Sequence, residues 1–150
     1  MSKNGLLGLV NTTDQNVVVG GLVNLGTSYR HFGSKNNCGF ATFSFNSNGI
    51  TLNHRGIYKV TVAAIVSAPA AGDVTLQLEE NGVLIPGAIA TETITTAVTE
   101  SRTLIIDYFI LVDNDLILNF PTTTAKTITI RNTGIESTIE NIVINVTKEV

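Results

Sequence analysis

The 150-residue chain has no tryptophan, a single cysteine and few charged residues. Charged side chains make up 14% of it, against about 25% in an average globular protein. Surface that would ordinarily be charged is therefore expected to carry small polar side chains or to be buried against another copy of the chain. The lone Cys38 excludes an intramolecular disulfide framework, and we interpret it as a small structural hydrophobe.

Positive charge is scarce and dispersed. The nine Lys and Arg residues are scattered singly and the formal net charge is −3, whereas phosphate recognition needs clustered cations, so we predict no nucleic-acid partner. No stretch approaches the roughly 18 apolar residues of a membrane span, which predicts no membrane partner. The N-terminus lacks the charged start, apolar run and cleavage site of an export signal, so we expect synthesis in the cytoplasm.

Residue types that carry most catalysis are equally sparse. His31 and His54 are the only histidines; both fall in predicted turns, and no Ser or Cys with an assignable acidic partner accompanies them. Asp113-Asn114-Asp115 offers two carboxylates to Ca²⁺, but it lacks the Gly and the distal Glu of an EF-hand loop and is equally typical of a tight turn. We predict a turn there, no metal site, no cofactor and no enzymatic activity.

Alternating apolar residues dominate the chain. The clearest cases are residues 56–66 and residues 73–80, and the second run ends in Asn81-Gly82, the dipeptide that most favours a two-residue hairpin turn. One face of the first run is apolar throughout: Tyr58, Val60, Val62, Ala64 and Val66. No window of ten or more residues shows a helical apolar stripe. About eight to ten strands at roughly ten-residue spacing indicate an antiparallel sandwich or barrel.

The length is that of one domain. Residues 1–16 are small, polar and interrupted by glycine, so we interpret them as a flexible N-terminal arm that precedes a domain over residues 17–150. Residues 103–112 are apolar on both faces except at Asp107. A strand that is apolar on both faces is buried on both, and in a two-layer sandwich the economical cover for the second face is a neighbouring subunit.

The order and spacing of several short segments resemble the jelly-roll domains of the complement globular-head and tumour-necrosis-factor (TNF) type, including those of bacterial spore-surface glycoproteins and phage virion proteins. The resemblance covers about residues 38–148, and residues 17–30 resemble the start of small stand-alone phage structural proteins. The matching segments are Gly56-Ile57-Tyr58, residues 73–78 with Asn81-Gly82, Ile85-Pro86-Gly87-Ala88, residues 113–118, residues 127–132 and residues 142–146. The chain has no collagen-like Gly-X-Y stalk.

This resemblance implies an antiparallel jelly-roll sandwich that assembles as a homotrimer about a threefold axis. Aligning the chain on the Asp115 turn puts one face of residues 103–112 at the subunit interface: Leu104, Ile106, Tyr108 and Ile110. The mixed face of residues 56–66 adds Ala63. Periodicity alone allows the opposite assignment, in which that uninterrupted face is the core and the face with Asp107 is the interface.

The expected function is that of a non-enzymatic structural protein of a phage particle. The short chain, the low charge and the resemblance favour a trimeric capsid decoration or head-fibre protein, located in the virion and attached to a capsid or appendage protein through the N-terminal arm. The alternative is a trimeric module at the tip of a surface appendage that binds a host glycan or receptor. The chain has only three tyrosines and no tryptophan for sugar stacking.

Overall fold

The computed structural model describes residues 5–32, 42–117, 120–123 and 125–150. Within that part of the chain every regular element is a strand, and there is no helix long and apolar enough to cross a membrane. The strands are β1 (Leu6–Asn11), β2 (Gln15–Val17), β3 (Thr27–Phe32), β4 (Phe43–Phe45), β5 (Ile50–Leu52), β6 (Gly56–Ser67), β7 (Gly72–Glu80), β8 (Val83–Ile94), β9 (Arg102–Val112), β10 (Asn114–Ile117), β11 (Phe120–Thr123), β12 (Lys126–Asn132) and β13 (Ser137–Lys148).

Two antiparallel sheets enclose one hydrophobic core. The first sheet has the order β3-β1-β13-β6-β9, with β2 also paired to β13. The second sheet has the order β4-β5-β12-β7-β8, and β10 and β11 form a separate hairpin. Apart from β4–β5 and β7–β8, neighbouring strands within the two sheets are not consecutive in the chain. The predicted all-β antiparallel sandwich is confirmed.

Strand β6 lies near the middle of the first sheet, between β13 and β9. Its five-residue apolar face points into the core, where each side chain is almost completely buried, because β-branched and aromatic residues pack well on a pleated surface that is covered by a second layer. The hairpin turn between β7 and β8 also follows the prediction. Asn81 and Gly82 have φ of 51° and 81°, the left-handed values that this turn requires at both central positions.

The prediction of a flexible N-terminal arm over residues 1–16 is wrong for residues 6–16, which contribute β1 and most of β2. Strand β1 pairs with β13 along its whole length and with β3 on its other side, and Leu7 and Leu9 are completely buried. Gly8 between them makes room for a ring, since a Cβ there would lie 2.6 Å from Cε1 of Tyr29. A single alternation of Leu, Gly and Leu is too short to distinguish a strand from a loop in sequence. In the folded chain this segment is a strand because it pairs with β13 on one side and β3 on the other.

The core also contains one buried phenol. Tyr58 packs edge-on against Phe43, with 5.9 Å between ring centroids, and its hydroxyl donates a 2.6 Å hydrogen bond to the main-chain oxygen of His54. Burial disfavours the phenolate and raises the pKa of Tyr58 to about 12. The protonated form is therefore the one that the folded chain stabilises.

Replacing Tyr58 by Phe tests this linkage. At about pH 8 the variant should be less stable than the wild type by about 1 kcal/mol, because the buried His54 oxygen loses this donor. Above the ordinary tyrosine pKa of about 10, the unfolded wild type ionises while the folded protein stays protonated, so wild-type stability falls by about 1.4 kcal/mol between about pH 8 and pH 11. The variant lacks this loss. Urea unfolding of the wild type and the variant at both pH values measures this loss of stability. A stability difference between the two proteins that does not change with pH contradicts the linkage to Tyr58.

Candidate assembly interface

The outer faces of the two sheets differ in chemistry. The second sheet carries polar side chains that are hydrogen-bonded to one another across neighbouring strands, and it also exposes Leu84 and Ile89 on its edge strand β8. Thr75 and Thr91 are joined by a 2.8 Å bond between their hydroxyls, and Thr51 and Thr127 by one of 3.0 Å. A second layer against this face is not needed to satisfy these groups.

The outer face of the first sheet is apolar around strands β6 and β9. On β9, Ile105, Phe109 and Leu111 are 54–63% exposed. On β6, Ile57 and Ile65 are exposed as well, and Ala63 lies directly opposite Ile105 in the strand register. We call these six residues the apolar face. Exposed apolar residues that cluster on one face are a candidate interaction site.

Four of the five predicted interface residues lie elsewhere. Leu104, Ile106 and Ile110 are at most 3% exposed and belong to the core, and Tyr108 is half-buried against it. The β6–β9 register explains this, because Leu104 pairs with Ala64 and Ile106 with Val62, both of which point inward. Their assignment to the interface is wrong, and the alternative from periodicity is correct about which face is core. Asp107 is the sequence feature that indicates the outward face of β9, because a charged residue in a strand usually faces solvent.

A polar row crosses the apolar face. Nζ of Lys59 lies 3.8 Å from a carboxylate oxygen of Asp107, and both side chains are about half exposed. An exposed ion pair of this kind contributes little to the stability of the single chain. Further along the sheet, the Tyr29 hydroxyl donates a 2.6 Å bond to Oδ1 of Asn145. Polar groups on an otherwise apolar surface favour one orientation of a docked partner over others.

A second exposed apolar surface lies at the opposite edge of the first sheet. Phe32 and Tyr29 on the edge strand β3 are exposed, and Phe45 on β4 is exposed beside them. The ring of His31 stacks edge-on against Phe45 at 5.6 Å between centroids. We call Tyr29, His31, Phe32 and Phe45 the aromatic edge. His31 thus lies in a strand, not in the predicted turn.

The remaining sequence candidates do not come together in the described residues. The ring of His54 lies 3.3 Å from the Thr42 hydroxyl, and Asp113 forms a 3.5 Å ion pair with Arg55. Asp115 lies in β10 opposite Thr122, so the predicted tight turn at Asp113-Asn114-Asp115 is wrong. No group of three or more His, Cys, Asp or Glu side chains is close enough to hold a metal ion in the described part of the chain. Cys38 lies outside the described residues.

Comparison with known proteins identifies the fold. No protein-family model and no curated protein sequence matches the chain. Among solved structures, the globular domain of zebrafish complement 1qA aligns with a TM-score of 0.60 at 10% identity over 95% of this chain and 94% of that one. Eiger TNF from S. frugiperda aligns with a TM-score of 0.62 at 11% identity over 98% and 92%. The fold is the TNF-like jelly roll.

A phage protein is among the structures similar to this jelly roll. The PRD1 vertex protein P5 aligns with a TM-score of 0.53 at 16% identity over 95% of this chain and 94% of that one. The resemblance read from the short sequence segments is therefore confirmed at the level of the fold. Identities this low carry no site residue from one TNF-like jelly roll to another.

Proposed function

We propose that this protein is a non-enzymatic structural component of a phage particle, a capsid decoration or head-fibre protein that assembles as a homotrimer. The observation that carries the proposal is the exposed apolar face of the first sheet, with Ile105, Phe109 and Leu111 54–63% exposed, whereas the second sheet carries polar side chains that are hydrogen-bonded within the chain. Contact between copies would remove this apolar face from water, which favours assembly of a chain with only 14% charged residues. The likeness to TNF-like jelly rolls and to a phage vertex protein supports the same reading.

The apolar face and the aromatic edge are the two contact surfaces that we assign to the trimer. Each copy in a cyclic trimer uses two different patches, because the contact is head-to-tail and not a twofold repeat of one patch. The apolar face supplies the first patch. The aromatic edge supplies the second patch, since Phe32 and Phe45 can fill gaps between aliphatic side chains; it follows β3 at the other edge of the first sheet and includes Phe45 from β4 of the second sheet. Interface cores in general are enriched in aromatic residues.

The attachment to the particle uses a different surface from the one that the sequence predicts. Residues 6–17 contribute β1 and β2 to the first sheet, so they cannot act as a free tether without unfolding that sheet. We therefore propose that the trimer contacts its capsid or appendage protein through the folded domain. The alternative function, glycan binding, would need exposed aromatic rings that are free to stack on a sugar, and the proposed trimer uses those of the aromatic edge and of Phe109 between copies.

Native mass spectrometry at micromolar protein concentration tests the assembly. A trimer has three times the chain mass of 15.9 kDa, about 48 kDa. Electron microscopy of the assembled particle then tests the virion location, with the expected density being a threefold feature on the outer surface. A monomer at micromolar concentration contradicts the trimer, and purified particles without this chain contradict the virion role.

A further inference from the structure

Apolar side chains are exposed on three loops at one end of the sandwich, where β6 ends and where β7, β9 and β13 begin. The loops are residues 18–21, 68–71 and 95–100, and we call them the loop end. Val98, Val19 and Val18 are 71%, 64% and 56% exposed, and Pro69 and Ala70 are exposed as well. None of these residues belongs to the apolar face or to the aromatic edge.

The loop end is held in place by main-chain hydrogen bonds. The Val98 N–H donates a 2.8 Å bond to the Ala68 oxygen, which joins two of the three loops. In the third loop, the Gly20 N–H donates to the Asn132 oxygen at 2.8 Å, and the Asn132 N–H donates to the Gly21 oxygen at 2.9 Å. Loops that are already fixed lose less conformational entropy when a partner binds to them.

Val98 has a backbone conformation that is unusual for a valine. Its φ is 68°, and the Thr99 N–H donates a 2.8 Å bond to the Ala97 oxygen, so Val98 is the central residue of a three-residue γ-turn. A γ-turn of this hand is rare and strained, and a β-branched side chain raises its cost. The Glu100 carboxylate supports the loop, because it accepts hydrogen bonds from the N–H and the hydroxyl of Thr95. Strained residues that their surroundings hold in place cluster at binding sites.

A shallow pocket of about 260 Å³ lies beside Val98. Val98, Ala68 and Pro69 form its apolar walls, and its polar walls include Asp14 and Glu140. The apolar side chains of the loop end are therefore directly adjacent to carboxylates.

The charged groups of the loop end are mostly negative. Four acidic residues lie in the loops of this end or line the pocket: Asp14, Glu100, Glu136 and Glu140. Arg102 pairs with Glu100 at 3.0 Å, and Arg131, which donates to the Gly20 oxygen, pairs with the buried Glu79. The other three carboxylates form no ion pair within the described residues. Positive charge on a partner would complement them, and such complementarity speeds association and selects the docked orientation.

We propose that the loop end is the surface through which this protein attaches to the particle, and that it binds a capsid or appendage protein whose lysine and arginine side chains surround an apolar patch. Val98 and Val19 supply the apolar contacts, and the three carboxylates without a cation partner meet the basic side chains. The inference rests on the structural role proposed above and names the attachment surface and the chemistry of the partner.

The proposed trimer would present this surface three times. A threefold axis relates the copies by rotation alone, so equivalent loops of all three copies lie at the same height along the axis. Three contacts that form together bind more tightly than one of them alone, because the second and third form within an existing complex.

Co-sedimentation of the full-length protein with phage particles that lack this chain tests the surface. The wild type should bind saturably, and Val98→Asn should raise the apparent Kd at least tenfold, because an apolar contact is lost in every copy. Asparagine tolerates positive φ better than valine does, so the turn keeps its shape. Val83→Asn is the matched control: Val83 is 69% exposed and follows the Asn81-Gly82 turn at the opposite end of β7, so this variant should bind like the wild type.

The charge of the partner is measured with a second pair of variants. Asp14→Asn combined with Glu140→Gln should raise the apparent Kd at least tenfold at about 0.1 M salt. The difference from the wild type should shrink at about 1 M salt, where the screening length is only about 3 Å. Glu149→Gln is the control, because it neutralises an exposed carboxylate that follows β13 at the opposite end of the sandwich, and it should bind like the wild type.

Native mass and melting temperature are measured for every variant, so that lost binding is not ascribed to a lost trimer or to unfolding. If Val98→Asn binds like the wild type, or if Val83→Asn loses as much affinity, the loop end is not the attachment surface and the structural role stands. If the charge variants bind like the wild type, the partner is not basic and the inference is wrong in that respect. A wild-type protein that does not bind the particles contradicts the structural role, and this inference with it.

Discussion

Ile105→Asp is expected to convert the proposed trimer of about 48 kDa into a folded monomer of 15.9 kDa. Ile105 is exposed in the single chain, so the aspartate is fully hydrated there and costs the fold little. In the assembly the same carboxylate would be buried against aliphatic and aromatic side chains without a partner, which costs several kcal/mol. Ala63 lies opposite Ile105, and Ala63→Asp should act in the same direction. Native mass spectrometry gives the mass, and the melting temperature reports the fold.

The matched control for this substitution is Val83→Asp. Val83 is 69% exposed and Ile105 is 63% exposed, but Val83 lies in the β7–β8 hairpin of the second sheet, away from the apolar face. The control should remain a trimer. If Ile105→Asp also remains a trimer, the apolar face is not the interface between copies. If both variants become monomers, the effect is a general loss of solubility or stability and not a property of this face.

Leu9→Ala is expected to destabilise the protein by about 3 kcal/mol. Leu9 is completely buried in the core, and shortening a buried leucine removes transfer free energy and leaves a cavity, which together cost roughly 2–5 kcal/mol. A flexible arm would lose nothing. Val10, the next residue of the same strand, points to the outer face and is half-buried, so Val10→Ala should cost less than about 1 kcal/mol.

Urea unfolding of the wild type and the two variants at one fixed protein concentration measures this difference. The comparison is internal to β1, so any general effect of changing the N-terminal strand is shared by both variants. Equal midpoints for Leu9→Ala and wild type would show that β1 is not part of the cooperative fold. Equal losses in Leu9→Ala and Val10→Ala would contradict the inward and outward assignment of the two side chains.

Much of the fold is readable from local patterns. The face of β6 from Tyr58 to Val66 alternates without interruption, and its inward phase follows directly from that alternation. The turn at Asn81-Gly82 follows from the positive φ that both positions tolerate. The order of these segments along the chain was enough to indicate the TNF-like jelly roll. These features depend on residues that are close in sequence, where steric preferences act without knowledge of distant partners.

The interface and the N-terminal strand required the tertiary structure. Residues 103–112 are apolar in both phases apart from Asp107, and this single charge left both assignments of the core face open. The β6–β9 register decides between them, because Leu104 lies opposite Ala64 and Ile105 opposite Ala63. A two-residue alternation at Leu7 and Leu9 becomes a strand only because β13 and β3 present free edges on both sides of it. Lys148 is buried beside Gly56, which is 92 positions away in the chain. The sequence by itself determined strand periodicity, the hairpin turn and the class of fold, because these arise from local sterics and burial; which apolar face stays exposed and which charges become buried arise from pairings between distant segments.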